Sequence, residues 1–151
     1  MEIKTICDNP QLLVEAASWF SDKWGVPLEA YMESMKAYIG NPVGIPKWFV
    51  ILDEKESTIA GAGIIENDFH QRKDLTPNLC ALFVEPPYRK QGLAKKLMDF
   101  ARKETQAAGF DKLYLITDHT EFYEKCGWAF YGIIKEDDGA EIRMYETKTG
   151  F

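Results

Sequence analysis

Asn78-Leu-Cys-Ala-Leu-Phe-Val-Glu-Pro-Pro-Tyr-Arg-Lys-Gln-Gly-Leu-Ala-Lys-Lys96 is the stretch from which the rest of the chain can be read. Leu79 to Val84 is an apolar run of strand length bounded by turn residues, and it predicts a buried strand. Pro86 and Pro87 have no N–H to give a ladder, so the strand stops there. Arg89-Lys90-Gln91-Gly92-Leu93-Ala94 follows, a short basic loop opening into a helix striped by Leu93, Leu97, Phe100 and Ala101. The first N–H groups of such a helix are unpaired, and the helix dipole favours negative charge there. Strand, basic loop and helix start together therefore predict a site for a phosphorylated ligand.

Working outward, Gly109 suits the end of that helix and Lys112 to Thr117 reads as the next strand. The span 78–117 is then a β-α-β unit, which implies a parallel strand pair joined by a right-handed crossover. Toward the N-terminus, Lys47–Leu52 and Thr58–Ile65 read as two strands around an Asp53–Glu56 turn. Gly61 and Gly63 mark places where something packs closely on the second of them. Before these lie a first short strand (Glu2–Cys7) and two helices, one capped by Asn9-Pro10 and ended by Gly25, the other running from Pro27 to Gly40. After Thr117 the pattern predicts a short helix (Thr120–Cys126). A hairpin follows, Trp128–Ile134 and Glu141–Tyr145, around Asp137-Asp138-Gly139. The polar segment Glu66–Pro77 is long for a loop in a compact domain and is a functional candidate.

The 151 residues suffice for one domain with a real core, spanning 1–151. A net charge of −6 argues against nonspecific nucleic-acid binding and is compatible with a cationic or amine-bearing partner. No apolar run reaches the roughly 20 residues that span a bilayer, so no membrane association is expected. The N-terminus lacks a signal-peptide pattern. Cys7, Cys80 and Cys126 are widely spaced without C-x-x-C, and read as reduced thiols in a cytoplasmic protein. No G-x-x-x-x-G-K-[ST] P-loop occurs, and Gly61-Ala-Gly63 lies within a strand, so neither mononucleotide nor dinucleotide fingerprints are present.

The whole arrangement resembles the GNAT superfamily of N-acetyltransferases. Arg89-x-x-Gly92-x-Ala94 is similar to that family's acyl-CoA pyrophosphate loop, preceded by Val84-x-Pro86-x-Tyr88 at the end of a fourth strand. Phe122-Tyr123-x-x-x-Gly127-Trp128 is similar to its Tyr-x-x-x-Gly-Phe block after the fifth strand. The resemblance implies an α/β fold of the GNAT type. Its mixed, mostly antiparallel sheet would carry flanking helices, with the parallel fourth and fifth strands splayed apart. It implies acetyl-CoA as co-substrate, with no metal. Leu82, Phe83 and Val84 would face the pantetheine arm, and Arg89, Lys90, Gln91, Gly92, Leu93, Ala94 and Lys95 the pyrophosphate. The activity implied is acetyl transfer to a primary amine, on a small molecule or a peptide amino terminus. The alternative is an acyl-CoA-binding sensor module without catalysis.

Acetyl transfer to an amine requires removal of an ammonium proton, stabilisation of the oxyanion and departure of the thiolate. Tyr123 is the candidate acid for the thiolate, with Phe122 expected to supply the core-facing anchor beside it. Family members that carry a glutamate base on the fourth or fifth strand are not matched here, because Asn78 and Ile116 stand at those positions. Glu66, Asp68, His70, Asp74, Asp118 and His119 remain as proton acceptors, Asp118 and His119 being nearest the Tyr123 segment. Their spacing suits no metal. Acceptor-binding candidates are Trp24, Tyr31, Glu66 and Asp74, with Met35 a further lining residue. A homodimer through an exposed edge strand or the terminal hairpin is compatible with the pattern.

Overall fold

Strand β2 (Lys47–Leu52) sends Phe49 and Ile51 into one apolar cluster and Trp48 and Val50 into another. All four are buried, so the strand belongs to a sheet covered on both faces. The computed structural model, which describes residues 2–150, is organised around that sheet. Seven strands run in the order β1-β2-β3-β4-β5-β7-β6. They are β1 (Ile3–Thr5), β2, β3 (Thr58–Ile65), β4 (Asn78–Val84), β5 (Lys112–Thr117), β6 (Ala129–Lys135) and β7 (Glu141–Lys148). Helices α1 (Leu13–Trp24) and α2 (Leu28–Gly40) cover one face, while α3 (Leu93–Ala107) and the single-turn α4 (Phe122–Lys125) lie on the other.

Every adjacent pair of strands is antiparallel except β4 and β5. That parallel pair meets only at its N-terminal end, where Asn78 stands opposite Tyr114 and the Tyr114 N–H donates to the Pro77 carbonyl at 3.0 Å. Beyond it the two strands part. The hairpin β6–β7 closes the sheet with β7 inside, leaving β6 as an edge that exposes Phe130, Tyr131 and Ile133.

Gly61 and Gly63 are the close-packing positions that the pattern predicts. A Cβ on Gly61 would sit 2.8 Å from Phe20 Cζ, and one on Gly63 would overlap the Trp48 ring. Both rings belong to the α1–α2 cluster, which thereby beds down on the β3 backbone.

Several element ends shift: β4 begins one residue earlier, at Asn78, and β6 runs one residue later, Ala129–Lys135. The first strand is three residues long, and the helix after α4's predecessor strand spans one turn instead of Thr120–Cys126. Strand β7 continues to Lys148. Asn9 does not cap α1: its side-chain amide donates to the Thr5 carbonyl at 2.9 Å, and a 3-10 turn at Pro10–Leu12 precedes the helix.

Candidate active site

The separation of β4 from β5 opens a cleft of about 600 Å³ through the middle of the sheet. Cys80, Ala81 and Leu82 line one side, and Leu115, Ile116 and Thr117 with Asp118 and His119 line the other. Trp24 and Tyr31 reach it from α1 and α2, and Tyr123 from α4.

Strand β4 is deformed where it faces this space. Gly61 pairs with Phe83 and Gly63 with Cys80, so Ala81 and Leu82 together oppose the single residue Ala62. This is a β-bulge. Ala81 adopts φ +56°, in the left-handed region that a Cβ disfavours. The indole N–H of Trp24 donates to its carbonyl at 3.1 Å, tying the end of α1 to the bulge. Phe83 is edge-on to Trp19 and Trp24 and carries the cations of Lys23 and Arg89 over its ring.

Past Val84 the chain enters the basic loop. Arg89 Nε donates to the Val84 carbonyl at 2.8 Å, so the arginine fastens the loop to the strand end. Lys90 (φ +64°) and Gly92 (φ +78°) both take left-handed backbone. A Cβ on Gly92 would meet nothing within 4 Å, so the space before the loop is open. The glycine is required by its φ and not by packing. No side chain caps α3, whose first intrahelical bond here is Lys96 N–H to the Gly92 carbonyl at 3.0 Å. Its leading N–H groups therefore face outward without an acidic neighbour in the first turn. These features fit a pyrophosphate held by backbone N–H groups.

Tyr123 packs between Trp128 and Tyr145 with ring centroids 6.3 and 6.0 Å away, while Phe122 is 42% exposed. Phe122 is thus not the core-facing anchor expected: one turn of helix directs it toward solvent and Tyr123 inward, where Tyr123 also lines the cleft. Burial raises the Tyr123 hydroxyl to about 12 against a smaller opposing hydrogen bond with Thr117. It stays protonated at neutral pH.

The proton-acceptor candidates separate clearly. His70 is fully buried, and its tautomer follows from its neighbours. Asn78 Nδ2 donates to the carbonyls of Glu66 and Leu75, both at 3.0 Å, which turns Asn78 Oδ1 toward His70 Nε2 at 2.8 Å. The Arg72 N–H donates to His70 Nδ1 at 3.2 Å. Nε2 therefore carries the proton, Nδ1 is occupied, and His70 has no free lone pair for a substrate. Glu66 is exposed and is not among the cleft-lining residues; its backbone carbonyl serves the Thr76 and Asn78 donors. Asp74 is held in an exposed bidentate pair with Arg72, at 2.9 and 2.8 Å, also away from the cleft. Met35 is wholly in the α1–α2 core. Asp118 and His119 are exposed at the mouth, the His119 N–H donating to Thr117 Oγ1 at 3.1 Å.

Asp68 is different. It lines the cleft together with Glu136, and its carboxyl is raised to about 6, by burial first and by the charge of Glu136 second. Glu136 had no signal in the sequence beyond its place beside a tight turn. It reaches the cleft because the 66–77 loop docks on that turn: His70 bridges Glu136, Gln71 N–H donates to the Lys135 carbonyl, and Asp137 N–H to that of Phe69.

A family model described as an acetyltransferase (GNAT) domain matches residues 46–129. The chain belongs to the GNAT acetyltransferase family. The GNAT match runs from just before β2 to the start of β6, and so contains the bulge, the basic loop, β5 and α4. No curated protein matches the chain by sequence. Among solved structures, an aminoglycoside 6'-N-acetyltransferase complexed with coenzyme A is 19% identical with a TM-score of 0.73, the match covering 100% of this chain and 98% of that one. The aminoglycoside 6'-N-acetyltransferase from Enterococcus faecium is 20% identical, with a TM-score of 0.70 and coverage of 100% and 98%. A GNAT superfamily phosphinothricin acetyltransferase from Sinorhizobium meliloti, in complex with AcCoA, is 13% identical, with a TM-score of 0.69 and coverage of 99% and 88%. At these identities the likeness is one of fold: the mixed GNAT sheet with its parallel β4/β5 pair. Among the described residues no helix is long and apolar enough to cross a membrane.

Proposed function

We propose that this GNAT protein is an acetyl-CoA-dependent N-acetyltransferase acting on a primary amine, of a small molecule or a peptide terminus, with residues 1–151 working as one domain. The observation that carries the reading is the cleft itself. A bulged strand and a protonated tyrosine border the gap between β4 and β5, and β4 leads through the basic loop into an uncapped helix start. Structural relatives that hold coenzyme A or AcCoA support the choice of co-substrate.

In this reading the N–H groups of residues 90–95 bind the pyrophosphate and the backbone of Leu82, Phe83 and Val84 lies along the pantetheine. A backbone N–H at the bulge, near Leu82 or Phe83, donates to the thioester oxygen, a role worth about 3–4 kcal/mol where it has been removed. Trp24 and Tyr31 form apolar walls on the acceptor side. Tyr123 donates a hydrogen bond to the departing sulfur. With its hydroxyl near 12 and a thiol near 8.5, full proton transfer would be uphill by about 5 kcal/mol, so the bond stabilises the thiolate ahead of its protonation.

Thiol release from acetyl-CoA, followed with DTNB across polyamines, aminoglycosides, amino acids and short peptides, tests the reading. Release that depends on one class of amine is expected. Binding of acetyl-CoA by calorimetry with no release for any amine would overturn it in favour of a non-catalytic acyl-CoA sensor.

A further inference from the structure

The wall of the cleft formed by α2 and the 66–77 loop holds a carboxylate to which the steps above give no task. Asp68 lines the cleft with Tyr31 and Cys80. Burial first, and the negative charge of Asp68 after it, push the Tyr31 hydroxyl and the Cys80 thiol up, so both stay neutral. Cys80 is the residue before the bulge at Ala81 and Leu82. Asp68 therefore shares the cleft with the residues at which β4 opens.

The loop is built to keep it there. The Asn67 side chain exchanges two hydrogen bonds with the His70 backbone, at 3.0 and 3.1 Å, and Phe69 is held at φ +62°. His70 is locked to Asn78 at the root of β4, and the Phe69 carbonyl accepts the Asp137 N–H at 2.9 Å. A residue in left-handed backbone persists only where its surroundings over-determine it, and such residues gather at functional sites.

Several elements bring charged and titratable groups to the cleft around Asp68. Glu136 comes from the β6–β7 connection, Tyr31 from α2 and Cys80 from β4. Asp118 and His119 from the end of β5 and Tyr123 from α4 complete the titratable lining. Lys73 and Asp137 pair with each other at 3.5 Å where the loop meets the hairpin, outside the lining. No lysine or arginine is among the lining residues, so the wall is anionic and suits an incoming ammonium.

We propose that Asp68 is the group that takes the proton from the acceptor ammonium, with Glu136 beside it in the cleft wall. The inference rests on the acetyltransferase reading. One N–H proton passes to the Asp68 carboxylate and on to solvent. The freed nitrogen lone pair attacks the thioester carbon, forming C–N, and C–S breaks with its electron pair on sulfur. A second nitrogen proton is lost to solvent as the amide forms, and the thiolate, held by the Tyr123 hydrogen bond, takes one proton from solvent. The amide keeps the third. A carboxyl near 6 is ionised at neutral pH yet more basic than an ordinary aspartate.

The test uses the amine that gives the fastest thiol release in the panel above. Wild-type kcat/KM should fall below about pH 6. Asp68→Asn should lose about 100-fold in kcat and lose that acid limb, with acetyl-CoA affinity unchanged by calorimetry. Glu136→Gln should move the limb to lower pH, with acetyl-CoA affinity unchanged by calorimetry. A carbon-13 titration of the aspartate carboxyls in the full chain should show the same downward move of one resonance, independent of turnover. The proposal is overturned if Asp68→Asn retains the wild-type limb, whether or not its rate falls. It is equally overturned if Asp118→Asn or His119→Gln abolishes the limb instead. Wild-type protein that releases no thiol with any amine would sink the acetyltransferase reading itself, a different failure from either of these.

Discussion

From Val84 to Lys96 the features suited to a phosphorylated group come from one unbroken segment: strand end, arginine tie, left-handed Lys90 and Gly92, uncapped helix. The facing wall is assembled from pieces far apart in sequence, with Tyr31 on α2, Asp68 after β3, Cys80 on β4 and Glu136 after β6. The first half depends on local backbone conformation and the second on long-range docking. Damage to the two should therefore separate cleanly in experiments, donor affinity falling for one and acceptor use or stability for the other.

Gly92→Glu is the harshest test of the donor half, because it places a side chain at φ +78° and a negative charge at an anion site. Acetyl-CoA affinity should drop at least about 100-fold, roughly 3 kcal/mol, in a calorimetric titration. Unchanged affinity would remove the loop from the donor site.

His70→Ala attacks the other half. It leaves Asn78 Oδ1 and the Arg72 N–H without their partner and opens a hole in the loop. Urea unfolding should show a loss of about 2–3 kcal/mol, while acetyl-CoA affinity in the folded protein holds. A parallel loss of donor affinity would mean that the halves are coupled after all.

Tyr123→Phe removes one hydroxyl between them. A fall of about 10- to 50-fold in kcat, near 2 kcal/mol, is expected with acetyl-CoA affinity intact. Full turnover would end its assignment to the leaving sulfur.

Asp68→Asn has the smallest effect on folding and an inverted sign. The wild-type carboxyl is raised in the fold, from 3.8 to about 6, so its favourable contribution is complete below about pH 3.8 and lost as pH rises through 6. At pH 7 the charged, half-buried carboxylate weighs against the fold. The variant should be more stable there by on the order of 1–2 kcal/mol, after discounting the shift for remaining solvent, and indistinguishable at pH 3.5. Stability gained where activity is lost would mark a residue kept for function.

Much of the architecture was legible because it rests on periodicity and on local turn chemistry. Strand β2, the β-α-β unit and the close-packed glycines of β3 follow from residue patterns of two and of three to four. Other features were not. Phe122 and Tyr123 are adjacent aromatics, and which one points inward depends on where a one-turn helix starts. Glu66, Asp68, His70 and Asp74 read alike as polar loop residues. Only the fold makes the first a backbone acceptor, the third a locked structural histidine and the fourth a surface ion pair.

The sequence by itself determined the segment proposed for the donor in this GNAT protein, since a strand stop, a glycine and a helix start lie within a few residues of one another. Tertiary structure alone decided the acceptor side. The bulge at Ala81 and the meeting of Asp68 with Glu136 depend on which distant backbones dock, and burial and mutual repulsion act only once they have.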